Sequence, residues 1–202
     1  MTKIKMCGLT SYEDIKAANE LRPDYIGFVF AKKSKRFVTF EKAKALRAGL
    51  ECSIKAVGVF VDEDIRTVAE LLNCGIIDIA QLHGKEDDDY IVRLKAMTHK
   101  TVMKAFRIST KQDAAAAQAS PADIVLLDAG AGGGVTFDWS LVSTVERPYF
   151  LAGGLAPDNA ADAVAALHPF ALDVSSGIET DGHKDKKKMA AFIDAVRKED
   201  IR

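Results

Sequence analysis

Short apolar runs alternate with amphipathic stretches from one end of the chain to the other, and that alternation predicts a repeating strand–helix order. The strand-like runs are Ile4–Cys7, Tyr25–Phe30, Ala56–Val61, Ile77–Leu82, Thr101–Phe106, Ile124–Asp128, Pro148–Ala152 and Ala171–Val174. Several are apolar at consecutive positions, as parallel strands covered on both faces should be. Helices are predicted over Tyr12–Leu21, Phe40–Ala48, Ile65–Asn73, Asp88–Met97, Lys111–Ala119, Trp139–Val145, Asn159–Leu167 and Lys184–Arg197. Thr10 and Ser11 are cap candidates for the first helix. Asp87–Asp89 put negative charge at the positive end of the fourth, and Gly75 after Asn73 suits a left-handed helix stop.

Eight such units in 202 residues come to about 25 residues each, near the lower size limit of a (β/α)8 barrel. A doubly wound open sheet shows the same order but usually has fewer strands. Eight units with no leftover segment favour closure. The expected fold is therefore α/β, a (β/α)8 TIM barrel forming a single domain over 1–202, with no linker or low-complexity tract to divide it.

Composition narrows the class. The chain is 48% hydrophobic and 28% charged, and 28 basic against 29 acidic residues leave a net charge of −1. No global field points to nucleic acid or a membrane, so a small-molecule partner is expected. No apolar run reaches the ~18 residues of a membrane span, and Met1–Thr10 lacks the apolar core of a secretory signal. The cysteines, Cys7, Cys52 and Cys74, are odd in number and match no zinc spacing. They argue against a disulfide framework or a metal site and for a reducing, cytoplasmic setting. The near-zero charge and the lack of an obvious apolar surface stripe favour a monomer, with a homodimer left open.

In such a barrel the site lies at the C-terminal ends of the strands. That rim reads Cys7-Gly8, Phe30 with the Lys-rich loop after it, Phe60, Gln81 with His83, Arg107, Asp128, Gly153-Gly154 and Ser175-Ser176-Gly177. Polar and small residues collect there, against strand interiors read as apolar. The last two groups follow strands seven and eight, where barrel phosphate sites commonly use backbone N–H groups. Glycine permits close approach and serine adds hydroxyl donors. Either loop alone reads equally as a turn; together they favour an anion site. Gly130, Gly132, Gly133 and Gly134 match neither the dinucleotide nor the Walker pattern, and read as a phosphate-side loop or a long turn.

Cys7 and Asp128 carry the sharper reading. A cysteine is more often a buried small hydrophobe than a catalyst, and a strand-end aspartate is equally a hydrogen-bond acceptor. At one mouth, beside an anion site, the two suit acid–base chemistry on a sugar phosphate.

The chain resembles phosphoribosylanthranilate isomerase over nearly its whole length. The segments that carry the resemblance run in order from Lys5-Met6-Cys7-Gly8-Leu9-Thr10, Gly27-Phe28-Val29-Phe30, Lys33-Ser34-Lys35-Arg36 and Val57-Gly58-Val59-Phe60-Val61. They continue through Gln81-Leu82-His83-Gly84, Lys104-Ala105-Phe106-Arg107, Leu127-Asp128-Ala129 and Thr136-Phe137-Asp138-Trp139. Leu151-Ala152-Gly153-Gly154-Leu155 and Asp173-Val174-Ser175-Ser176-Gly177-Ile178-Glu179 complete them.

The resemblance implies an Amadori rearrangement in tryptophan biosynthesis, from N-(5-phosphoribosyl)anthranilate to 1-(2-carboxyphenylamino)-1-deoxyribulose 5-phosphate, without metal or organic cofactor. It implies that Asp128 protonates the ring oxygen and that Cys7 removes the C2 proton of the resulting Schiff base. Asp128 then needs a pKa raised by burial or by the substrate's charges. Cys7 needs a positive neighbour or a helix N-terminus to reach its thiolate. Arg36 is implied as the contact for the anthranilate carboxylate, which a planar guanidinium can grip with two parallel bonds. His83 and Asp173 are implied as supporting positions.

Some positions depart from the family pattern. Lys35 stands where proline is usual, Met6 where a β-branched residue is usual, and Thr180–Asp185 lacks a proline. Lys32, Lys33, Lys35, the acidic run Glu86–Asp89 and Lys186–Lys188 read as solvated charge. Three other readings remain: indole-glycerol-phosphate synthase, an isomerase acting on two aminoaldose phosphates, and a catalytically dead barrel serving as a sensor or scaffold. The dual-substrate pattern would place an aspartate at Cys7, and a dead barrel would have lost Cys7 or Asp128.

Overall fold

A computed structural model of the chain describes residues 1–128, 130 and 139–201. Eight parallel strands close a barrel in chain order. They are β1 Lys3–Cys7, β2 Tyr25–Val29, β3 Lys55–Phe60, β4 Ile79–Leu82, β5 Thr101–Arg107, β6 Ile124–Asp128, β7 Tyr149–Ala152 and β8 Ala171–Val174. β8 pairs back onto β1, with Lys3 opposite Ala171 and Lys5 opposite Asp173. The expected α/β barrel is the observed one, and its strands differ from the sequence reading by no more than two residues at an end.

Around the barrel lie α1 Tyr12–Leu21, α2 Phe40–Ala48, α3 Ile65–Asn73, α4 Asp88–Thr98, α5 Lys111–Ala119, α6 Ala160–Leu167 and α7 Lys186–Asp200. Ser11 caps α1 through a reciprocal box with Asp14, and Asp87 caps α4. Gly75 takes φ 71 just beyond α3, the left-handed stop its position suggested. Two expectations are corrected. The predicted helix Trp139–Val145 is a 3-10 helix over Trp139–Thr144. A six-residue piece rich in Ser, Thr and Val, with Pro148 close behind, is too short and too poor in helix formers for an α-helix. The final helix starts at Lys186 rather than Lys184, because Asp185 caps it. Glu179–Thr180 (β9) and His183–Lys184 (β10) form a small antiparallel hairpin ahead of it. Asp181 and Gly182, both at positive φ, supply the two-residue turn.

Period-two alternation sorts the side chains. Val57, Ile79, Met103, Ala105, Leu126, Phe150, Ala152 and Ala171 form one buried cluster that fills the barrel interior. The larger cluster, with Ile4, Met6, Ile26, Phe28, Val102 and Phe192, lies between strands and helices. Met6 is fully buried there, so its replacement of a branched residue is a core swap.

Strand interiors are not uniformly apolar, which corrects the sequence reading: Lys5, Gln81, Lys104 and Asp173 are all buried. Lys104 faces outward from β5 and bonds Glu86 Oε2 at 3.0 Å and the Gly84 carbonyl at 2.8 Å. Glu86 also takes the N–H groups of Asp62 and Gly84. Of the acidic run read as solvated, Glu86 is thus a buried staple between the loops after β3 and β4. Lys104→Met strands that carboxylate without its cation. It should cost about 3–5 kcal/mol of stability, measured by chemical denaturation, and an unchanged midpoint would contradict the staple.

Candidate active site

The same parity that packs the interior places its last layer at the open, C-terminal end of the barrel. Cys7, Val29, Val59, Gln81, Arg107, Asp128, Ala152 and Asp173 end their strands on the inward side. With Arg36, His83, Gly153, Gly154, Ser175 and Ser176 they line a cleft of about 640 Å³. Ten residues singled out from sequence were Cys7, Arg36, His83, Asp128, Gly153, Gly154, Asp173, Ser175, Ser176 and Gly177. All but Gly177 line this cleft. Gly177 sits behind it, where a Cβ would collide with the Leu155 carbonyl. Its glycine is required by the close packing of the loops after β7 and β8.

Cys7 lies against Val29, Val59 and Ala31, and Gly27 leaves room for it, since a Cβ there would stand 2.7 Å from the sulfur. Burial pushes the Cys7 thiol up, and the Lys5 ammonium pulls against it without cancelling it. Of the two devices expected to favour the thiolate, the positive neighbour is present. The Ser175 hydroxyl donates to the Cys7 carbonyl at 3.0 Å. In the free pocket it therefore braces β1.

Asp128 holds two contacts at the end of β6. Its Oδ1 accepts the Gly130 N–H at 2.9 Å, and its Oδ2 lies 3.5 Å from His83 Nε2. The Gln81 side-chain nitrogen is 3.2 Å from His83 Nδ1. With that amide donating to Nδ1, the ring proton sits on Nε2 and faces Asp128. The His83 hydrogen bond, the Gly130 N–H and the charge of Arg107 outweigh burial and hold the Asp128 carboxyl below its ordinary range. The expectation that burial would raise it is overturned for the free pocket. A strand-end carboxylate with this many donors is an anion until something adds negative charge beside it.

Arg36 reaches over the mouth from the loop after β2, and its stem passes so close to Gly8 that a Cβ there would collide with it. Its Nε and Nη2 grip both oxygens of Glu179 at 2.6 and 2.7 Å. Sequence did not foresee that fork, which leaves Nη1 outside it. Burial works against the Glu179 carboxylate, but hydrogen bonds from Arg36 and Lys184 hold its pKa low. Lys184, placed in a helix by the sequence, is on β10, where it also bonds the Ser175 carbonyl at 3.0 Å. The loop keeps its shape without the usual proline. Ser34 takes the Arg36 N–H on its hydroxyl and the Phe37 N–H on its carbonyl.

Lys5 is the residue that sequence reasoning passed over. It is fully buried, and its ammonium sits 2.7 Å from Asp173 Oδ2. Burial alone would lower its pKa, but the Asp173 carboxylate and the neighbouring Cys7 together outweigh burial and raise it. Burial in turn pushes the Asp173 carboxyl up, against the pull of the Lys5 ammonium. A readable signal existed: a lysine inside an apolar run, two residues from Cys7 and so on its side of the strand. Asp173 Oδ1 and Gln81 Oε1 are buried with no hydrogen-bond partner among the described residues, and both residues line the cleft.

Gly153 and Gly154 take φ 98 and 62, and Ser176 opens a 3-10 turn over Ser176–Ile178. The first N–H groups of such a turn have no intrahelical acceptor. Of the glycine cluster after Asp128, Gly132, Gly133 and Gly134 lie outside the described residues, as do Ala129 and Thr136–Asp138. Among the described residues, no group of three or more His, Cys, Asp or Glu is placed to hold a metal ion. None of the helices among them is long and apolar enough to cross a membrane.

A closed parallel barrel with its polar groups gathered at the C-terminal rim defines a (β/α)8-barrel enzyme. Comparison with known proteins gives the family. The model for N-(5′-phosphoribosyl)anthranilate (PRA) isomerase matches residues 4–195. The N-(5′-phosphoribosyl)anthranilate isomerase of Endomicrobium trichonymphae is 44% identical over 202 residues, covering 98% of this chain and 99% of its own. That of Thermoanaerobacter sp. (strain X514) is 43% identical over 204 residues, covering 98% of both.

Among solved structures, phosphoribosyl anthranilate isomerase from Thermotoga maritima superposes with a TM-score of 0.88 at 34% identity, covering 98% of this chain and 100% of that one. A phosphoribosyl anthranilate isomerase in complex with reduced 1-(o-carboxyphenylamino)-1-deoxyribulose 5-phosphate gives 0.86 at 33%, with the same coverage. Monomers generated from the dimeric T. maritima enzyme give 0.84 at 33%, covering 98% and 99%. The chain belongs to the N-(5′-phosphoribosyl)anthranilate isomerase family.

Proposed function

We propose that the cleft carries out the Amadori rearrangement of N-(5′-phosphoribosyl)anthranilate with Asp128 as general acid and Cys7 as general base. The reaction is the family's, an isomerisation in tryptophan biosynthesis. The observation that carries the assignment of roles is the convergence of a buried thiol and a hydrogen-bonded carboxylate on one mouth.

Substrate phosphate lies against Gly153-Gly154 and the turn at Ser175-Ser176-Gly177, where backbone N–H groups face the anion. The anthranilate carboxylate lies toward Arg36, with Glu179 holding the guanidinium in place. Bringing two anionic groups into the cleft raises the pKa of Asp128, which is how a carboxylate depressed in the free enzyme comes to hold a proton. The proton goes to the ring oxygen, the ring C–O bond breaks, and a Schiff base forms. Cys7, as thiolate, removes the C2 proton. The electron pair of that C–H bond forms the enolamine, which tautomerises to the ketone. Gln81 Oε1 and Asp173 Oδ1 accept hydroxyls of the opened sugar, which satisfies two buried acceptors.

The whole chain, 1–202, acts as one domain in the cytoplasm, as its free cysteines suit. It works as a monomer, with a homodimer as the second form; both states are named for the T. maritima relative. Freshly made phosphoribosylanthranilate should yield 1-(2-carboxyphenylamino)-1-deoxyribulose 5-phosphate, identified by chromatography and mass spectrometry of the borohydride-reduced product. Recovery of only anthranilate and ribose 5-phosphate would overturn the proposal. Arg36→Ala should raise KM about tenfold or more, the loss of one charge-assisted contact, with a smaller change in kcat. An unchanged KM removes Arg36 from the substrate site.

A further inference from the structure

We propose that Lys5 is a positioning residue for the reaction: its buried ammonium, anchored by Asp173, holds the positive charge that makes Cys7 available as a thiolate. The inference rests on the reading of Cys7 as the base, and deepens it by naming what activates it.

Position comes first. Lys5 and Cys7 are two residues apart on β1, so both point into the barrel, Lys5 one layer beneath the mouth. A lysine with no exposed surface is costly unless paired. Its partner is Asp173, directly opposite on β8 in the strand register, at 2.7 Å. Only one Asp173 oxygen is engaged, while Oδ1 has no partner among the described residues. The pair is thus held on the Cys7 side of β1, and Asp173, with one oxygen unpartnered among the described residues, also lines the cleft.

Four charged groups among the described residues act on Cys7. Lys5 lies on its own strand, Asp173 on β8 and Lys184 on β10, and Arg36 on the loop after β2 also interacts with it. β2 and β3 pack Gly27, Val29 and Val59 against it. Burial opposes the thiolate most strongly, Lys5 is the largest influence in its favour, and Asp173 opposes it less than Lys5 supports it. The pair therefore has a net effect on Cys7, and it favours the charged form. A surface lysine could not do this, because water would screen it.

The test is thiol ionisation, read apart from turnover. Cys52 and Cys74 are exposed, so both are changed to Ser, which leaves Cys7 as the lone thiol. Thiolate absorbance near 240 nm and the pH dependence of iodoacetamide alkylation then report its titration. Lys5→Met should move that titration up by about one pH unit or more, with alkylation at pH 8 about tenfold slower. The rise of kcat/KM with pH should move with it, and KM should change little. Lys5→Met leaves Asp173 buried without its partner, so Lys5→Met/Asp173→Asn, which removes both charges, is measured alongside. It should shift the titration the same way by less. An unmoved or lowered thiol titration in folded protein overturns the proposal, whatever happens to activity. A titration that rises while the activity profile stays in place shows that Lys5 acts on the thiol but removes Cys7 as the base, and with it the role of Lys5 in the reaction.

Discussion

Cys7→Ser is expected to lower kcat by about 10²- to 10⁴-fold, with KM nearly unchanged. The thiol lines the cleft, and the change removes its acidity while keeping nearly its size. An interaction lost only in the transition state lowers kcat and kcat/KM together. The pH dependence follows from the thiol's environment. Burial lifts its pKa above the ordinary thiol range, and the base must be deprotonated. Wild-type kcat/KM therefore climbs as pH rises toward that pKa. Serine, which does not ionise in this range, should show no such climb. Steady-state rates from pH 6 to 9.5 check both statements, and a Cys7→Ser enzyme within tenfold of wild type would remove Cys7 as the base.

Asp128→Asn should be as damaging to kcat, again by about 10²- to 10⁴-fold, for a different reason. Asparagine still accepts the Gly130 N–H but has no proton to give the ring oxygen. The same change carries a stability signature. The folded-state pKa of Asp128 is depressed, so the carboxylate's contribution is present above its unfolded pKa and is lost as pH falls through the folded one. Wild type should exceed Asp128→Asn in stability near neutral pH, and the gap should close in acid. Denaturation at pH 7 and pH 3 measures it. A gap that widens in acid would show that Asp128 is not held ionised in the free enzyme.

The barrel was legible because its strands and helices repeat with two different periods, and Ser11, Asp87 and Gly75 mark helix ends by local chemistry alone. What was not legible depends on partners distant in the chain. The solvated reading of Glu86 failed because its cation, Lys104, arrives from the next strand. Arg36 was recognised as a fork, but Glu179, 143 positions away, was not foreseen as its clamp. Which influence governs Asp128 was not legible, because the His83 and Gly130 contacts that outweigh burial in the free pocket are brought together only by the folded loops. Lys5 is the instructive omission, since strand alternation placed it on the Cys7 side. Its meaning required knowing that β8 closes onto β1 and brings Asp173 opposite.

The central claim is that this mouth speeds an isomerisation through Cys7 and Asp128. It is tested most directly by the fluorescence decay of freshly made phosphoribosylanthranilate with purified wild type, Cys7→Ser and Asp128→Asn beside buffer. Rapid decay with wild type and decay near the buffer rate with both variants is the predicted result. Decay at the buffer rate with wild type, or equal acceleration by all three proteins, would contradict it.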